Sequence, residues 1–200
     1  MDIGFAKKRW LIAGFIFVIL LGLYTFKNTS FLIRSLSAMA LIVFFYAVDH
    51  LFNVRFRFHH YLFIFTIAVT GFLLSPLYFI YPNFDKILHI IQPFMLASIV
   101  YHMVSQLKLK TKWDLVFTFF IIVGSLALFE LGEYALDLLF DLKLQGVFLW
   151  DPQGLQKFNI ILDRNDDTMI DIALGTLSAA LYAGFQFIQS PFKKKQLSRK

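Results

Sequence analysis

Apolar residues along this chain gather in long runs separated by short polar clusters, with no sustained alternation of period two. Runs of about 20 residues match the hydrocarbon thickness of a bilayer rather than the strands or amphipathic helices of a soluble domain. The breaks predict helices at 10–26, 31–52, 60–81, 86–107, 113–140 and 167–188. Lys27-Asn28-Thr29-Ser30 forms the first turn, Arg55 and Arg57 mark the second connection, and Pro82-Asn83 marks the third. Pro76 falls near the end of the third predicted helix. The fifth is longer than a span requires, so its last turns are expected to tilt or emerge. The one long connection, 141–166, contains Gly146, Trp150, Pro152 and Gly154 and reads as an irregular, interface-lying loop. It is a natural lid, with Trp150 as its membrane anchor. The expected fold is an all-α, polytopic membrane helical bundle of about six transmembrane helices. A single transmembrane domain over 1–200 is expected, closed by a basic tail at 189–200.

Composition agrees, since 58% of the chain is apolar, with 26 Phe and a mean hydropathy of +0.68. The chain has no Cys, which excludes thiol catalysis, disulfides and cysteine-ligated metals. A net charge of +6 raises the question of nucleic acid. Its distribution answers in favour of the bilayer, with no nucleic-acid partner. Lys7-Lys8-Arg9, Arg55 and Arg57, Lys108, Lys110 and Lys112, and Lys193 to Lys195 with Arg199 and Lys200 all fall on one side of a six-helix path. Lys27, Arg34, Lys86, Lys143, Lys157 and Arg164 fall on the other, together with most of the acids. The positive-inside rule then predicts cytoplasmic termini and a multi-pass protein of the cell (plasma or inner) membrane. A basic head before an apolar run also describes a signal peptide. However, no small-x-small cleavage site follows, so an uncleaved first helix is expected.

Against this apolar background the intramembrane carboxylates stand out. Glu130, Glu133 and Asp137 fall on one stripe of the fifth helix at ~100° per residue. The fourth helix opens with Asp85-x-x-x-His89-x-x-Gln92 on one face. The sixth opens with Asp167-Thr168-x-x-Asp171, and Ser178 continues that stripe. In the predicted topology His89, Glu133 and Asp171 lie at a common depth, roughly 6 Å below the outer helix ends. A carboxylate at the bilayer centre costs roughly 2.5–3.5 kcal/mol, so such a group needs protons, cations or donors on neighbouring helices. Pro93 removes one N–H and should leave the carbonyl of His89 free for another donor.

These segments carry a resemblance. Phe84-Asp85-x-x-x-His89-x-x-Gln92-x-Phe94, Phe129-Glu130-Leu131-x-Glu133-Tyr134 and Asp167-Thr168-x-x-Asp171 resemble the signature segments of the YjdF-like family. Those are small bacterial and archaeal inner-membrane proteins of uncharacterised function. More distantly, Asp85-Lys86-x-x-His89 with acids on later helices is similar to VanZ-like proteins, a group linked by name to glycopeptide-antibiotic resistance. The resemblance covers about Phe84 to Gly175 and implies a shared site, with no known reaction. Tyr134 stands where the YjdF-like pattern often has Trp, and Pro93 where it often has Gly.

Carboxylates with one imidazole suit a hard or borderline divalent ion, and helical bundles hold such ions. Asp85, His89, Glu130, Glu133, Asp167 and Asp171 are therefore the expected metal ligands. Of these, His89, Glu130, Glu133 and Asp171 are the catalytic candidates. Gln92, Tyr134, Asp137, Thr168, Arg164 and Arg34 are expected as supporting polar groups. The expected function is binding of a cation or divalent metal in the outer half of the bundle, acting on a lipid-linked, envelope or other small-molecule substrate. The alternatives are a proton- or cation-coupled transporter, and a structural scaffold in which Asp85 and Asp167 cap helices and the acids pair with Lys86, Arg164 and Arg34. No Ser-His pair or phosphate-cradling glycine loop decides for an enzyme. Elsewhere structural roles are expected: Asp114 as a cap, Asp49, His50, His59 and His60 in solvated headgroup space, and His102 snorkelling. Trp10, Trp113, Trp150, Tyr24 and Tyr81 should sit in interfacial belts. Gly175 with Ala179 and Ala180 with Gly184 should mark close helix packing.

Overall fold

The computed structural model describes residues 3–26, 29–140, 144–150 and 158–197. The chain forms two compact units, Met1–Ser75 and Pro76–Lys200. In the first, α1 (Ile3–Phe26) and α2 (Thr29–Leu51) precede α3 (Phe58–Ala68). α1 starts before the apolar run and takes in Lys8, because Lys8 has a partner in the next helix. Its Nζ donates to Asp49 Oδ2 at 3.0 Å. The same oxygen accepts from the Tyr61 hydroxyl, while Asp49 Oδ1 accepts from the Phe56 N–H at 2.9 Å. Asp49 is thus largely buried in an ion-pair network and is not the solvated headgroup residue expected. His60 is buried too, its Nδ1 accepting from the Arg57 N–H, whereas His50 and His59 remain exposed. Phe45 stacks on Phe56 at 4.4 Å, and the Phe15 and Phe65 rings meet at 4.8 Å, within an apolar core.

The third predicted helix, 60–81, is not continuous. After α3 the backbone widens into a π turn, Val69–Leu73, closed by a bond from Leu74 N–H to the Val69 carbonyl at 2.9 Å. It then tightens into a 3₁₀ segment, Ser75–Phe79. Pro76 is the cause: it has no N–H for the carbonyl of Phe72, and its ring crowds that oxygen. Ser75 Oγ donates to the Phe72 carbonyl instead, at 2.9 Å.

The second unit holds α4 (Phe84–Ser105), α5 (Thr111–Phe140), β1 (Val147–Trp150), β2 (Phe158–Leu162) and α6 (Arg164–Leu197). The three helices pack on a core of Ala97, Ile122, Ala179 and Tyr182. A Cβ on Gly175 would lie 2.4 Å from Leu126 Cδ1, so the missing side chain is what lets α5 and α6 approach. Of the two small-residue pairs expected, Gly175 and Ala179 are packed, while Ala180 is exposed and Gly184 faces open space. Pro93 stays inside α4 without ending it. Ser178 Oγ donates across to this stretch at 2.6 Å, to the carbonyl of Ile90 rather than that of His89.

The irregular loop expected at 141–166 is instead built around an antiparallel hairpin. Val147 pairs with Leu162, Phe148 with Ile160, Leu149 with Asn159 and Trp150 with Phe158, with a bulge after Val147. Strand pairing satisfies backbone N–H and C=O groups within the segment itself. Gly146 enters the hairpin at φ +92°, a conformation that favours glycine. Gly154, Pro152 and the Trp150 and Tyr24 side chains lie outside the described residues.

Among the described residues, Phe31–Leu51, Phe84–Ser105, Thr111–Leu139 and Arg164–Ser190 are long and apolar enough to cross a membrane. Their outward faces carry Phe44, Phe120, Leu128, Leu138 and Phe187, all exposed. Trp10, Trp113 and Tyr81 are exposed as well. The protein is an all-α membrane protein of the helical-bundle class.

Candidate functional site

The first turns of α4 and α6 and the last turns of α5 meet at one end of the second unit. α4 starts after Asn83, so Asp85 lies inside the first turn and is not its cap. α6 starts at Arg164, earlier than expected, because Asp163 caps it: Asp163 Oδ1 accepts from the Asp166 N–H at 2.9 Å. Asp167 is therefore also released from capping. Asp85, Lys86 and His89 project from α4, Glu130 and Glu133 from α5, and Asp167, Thr168 and Asp171 from α6.

Lys86 sits at the centre. Its Nζ donates to Asp171 Oδ1 at 2.8 Å and Oδ2 at 2.9 Å, to Asp85 Oδ2 at 3.2 Å, and to Asp167 Oδ1. His89 Nε2 lies 3.4 Å from Asp85 Oδ1 and 3.9 Å from Asp171 Oδ2. One donor atom from each of Asp85, His89 and Asp171 falls within 4.8 Å of the others. Ligands around a divalent ion with bonds of about 2.1 Å stand roughly 3–3.5 Å apart, so Asp85 and His89 are already at that spacing and Asp171 stands wider. Glu130 is only 4% exposed, and its Oε1 has no hydrogen-bond partner among the described residues. Its electrostatic neighbours are His89, Asp85 and Asp167, with Thr168 in hydrogen-bond reach. Glu133 lies within electrostatic range of Glu130, Asp85, Asp171 and Asp167, and Tyr78 within range of Asp85, Glu133 and Asp171. One ammonium and one imidazole thus confront several closely spaced carboxyls. Like charges about 4 Å apart repel by roughly 4 kcal/mol at an effective dielectric near 20, so further protons or cations are required.

The hairpin is fastened to the same end. Gly146 N–H donates to Asp167 Oδ2 at 2.7 Å, and Gln145 Nε2 donates to Thr168 Oγ1 at 2.9 Å. Asp137 accepts from the N–H groups of Leu144 and Gln145 at 2.8 and 3.0 Å. A family model described as predicted membrane protein (DUF2238) matches residues 7–191. The chain belongs to that family. No curated protein and no solved structure matches this family member.

The supporting residues of this DUF2238 protein divide. Thr168 stands at the site, whereas Asp137 serves the hairpin. Tyr134 is 54% exposed, so it does not join the buried groups. Arg164 is exposed, Gln92 is half-buried, and Arg34, belonging to the first unit, lies over the Phe31 ring at 5.9 Å. Asp114 is buried within the first turn of α5 and does not cap it; its Oδ1 has no protein partner among the described residues. His102 Nε2 is buried, so that side chain does not snorkel. Sequence reasoning missed the central place of Lys86, which it treated as one neutralising charge among several. The available signal was a lysine enclosed by Asp85 and His89 within a single helical turn.

Proposed function

We propose that this membrane protein binds a divalent cation between Asp85, His89 and Asp171, with Glu130 and Glu133 as the acids that complete or tune the site. The carrying observation is the triad of donors within 4.8 Å, with a buried Glu130 nearby whose Oε1 lacks a partner among the described residues. Two carboxylates and an imidazole suit ions such as Zn²⁺ or Mn²⁺. In this reading both units act as a single transmembrane domain of six helices with cytoplasmic termini. The site then faces the outer half of the cell membrane, where its substrate is lipid-linked or another small envelope molecule. The positive-residue asymmetry supports that orientation. Membership of DUF2238 accords with the YjdF-like resemblance.

Purified protein should carry a stoichiometric divalent ion, and Glu133→Gln and His89→Ala should each lower its occupancy at least several-fold by elemental analysis. Metal-free wild-type protein would remove this reading. A second reading, proton or cation transport, is supported by the same Glu130 oxygen, a place for a proton in an apolar setting. It expects Glu130→Gln to abolish coupled flux in vesicles without unfolding the protein.

A further inference from the structure

We propose that Lys86 is a tethered counter-cation which a divalent ion must displace, so that the site exchanges its own ammonium for the bound ion. This rests on the cation reading above and concerns how that site is controlled. Lys86 Nζ occupies both oxygens of Asp171 and Oδ2 of Asp85, and those residues are two of the three in the triad. The competition is at Asp171: its Oδ2, the oxygen nearer His89, already accepts from the ammonium, and an ion bound there is repelled by that charge. The extra width of the triad has the same origin, since its carboxylates are arranged around Nζ rather than around an ion nearer His89.

The geometry also provides a place for the displaced group. Asp167 lies outside the triad and already accepts from Lys86, while its other oxygen is fixed by the Gly146 N–H at 2.7 Å. Lysine carries its charge on a flexible four-carbon stem. Exchange is thus release of Asp171 by Nζ while the ammonium stays on Asp167. Empty of ion, the site keeps a cation and stays tolerable in the membrane. Loaded, it gives Asp85 and Asp171 to the ion.

The test uses the full chain in detergent with Zn²⁺ or Mn²⁺ alone as probe. Lys86→Met removes the competing charge and keeps the stem, and should bind the ion about tenfold more tightly or better. Equal or weaker binding by Lys86→Met overturns the proposal. Lys86→Gln, which keeps a donor, gives the same comparison if the methionine variant does not fold. Failure of both to fold would make Lys86 a structural pillar and also overturn it. A second readout needs no variant: acylation of Lys86 in the wild-type protein, followed by mass spectrometry, should speed up on adding the ion. An acylation rate unchanged at saturating ion rejects displacement. If neither wild type nor Lys86→Met binds either ion, the cation reading itself falls. If wild type binds and Lys86→Met is no tighter, only the exchange falls.

Discussion

At the scale of single residues, the buried acids separate by what their oxygens do. Asp49, Asp137 and Asp167 each give both oxygens to defined donors: an ammonium, a hydroxyl or backbone N–H groups. Glu130 is as buried as Asp137 and Asp167, and its Oε1 has no partner among the described residues. Hydrogen bonds to charged groups contribute about 1.5–3 kcal/mol each, and removal of one partner leaves the other exposed to the apolar interior. Asp49→Asn should therefore destabilise the protein by about 2 kcal/mol in denaturant unfolding, and Asp167→Asn by a similar amount. Glu130→Gln, in the absence of added ion, should be neutral or stabilising. Equal losses for Glu130→Gln and Asp49→Asn would erase the distinction. Which acids cluster was legible in the sequence, because Glu130, Glu133, Asp167 and Asp171 recur at helical spacing in apolar runs. Which acids are satisfied was not. Their partners are backbone amides of a hairpin and a lysine 81 and 85 residues away.

Among the elements, the packing of α5 on α6 depends on one missing side chain. Gly175→Ala would drive a methyl into Leu126, and overpacking of this kind costs about 1–3 kcal/mol. Leu126→Ala in the same chain should recover part of that loss, read as a double-mutant cycle by thermal unfolding; additive losses would show that the two side chains do not meet. The long α-helices were legible because apolar length alone predicts them in a membrane protein. The broken third helix was legible only in part: Pro76 was visible, but a single proline does not say whether the helix kinks, stops or widens. The hairpin was obscured by Gly146, Pro152 and Gly154, whose turn chemistry outweighed the strand-forming Val147-Phe148-Leu149 and Asn159-Ile160-Ile161. The same bias hid the cap. Asp163 was taken for loop, so Asp167 received the role that its neighbour performs.

For the whole molecule, membrane residence follows from the four long apolar helices and their exposed outer faces. Orientation rests on where the basic residues fall. Reporter fusions after Arg57, Asn83, Lys110 and Gln153 should read inside, outside, inside and outside. An outside signal after Lys110 would invert the placement of the site. Ion-pair geometry also has a consequence for biosynthesis. Lys86 emerges from the ribosome 81 residues ahead of Asp167 and 85 ahead of Asp171. At 5–20 residues per second, that lead is about 4–17 s. Through this interval α4 carries a charge whose principal partners have not been made, so the growing protein must hold that lysine at the lipid headgroups or against a chaperoning insertase. Synthesis of the first two turns of α6 ends the wait and locks the fourth helix in place.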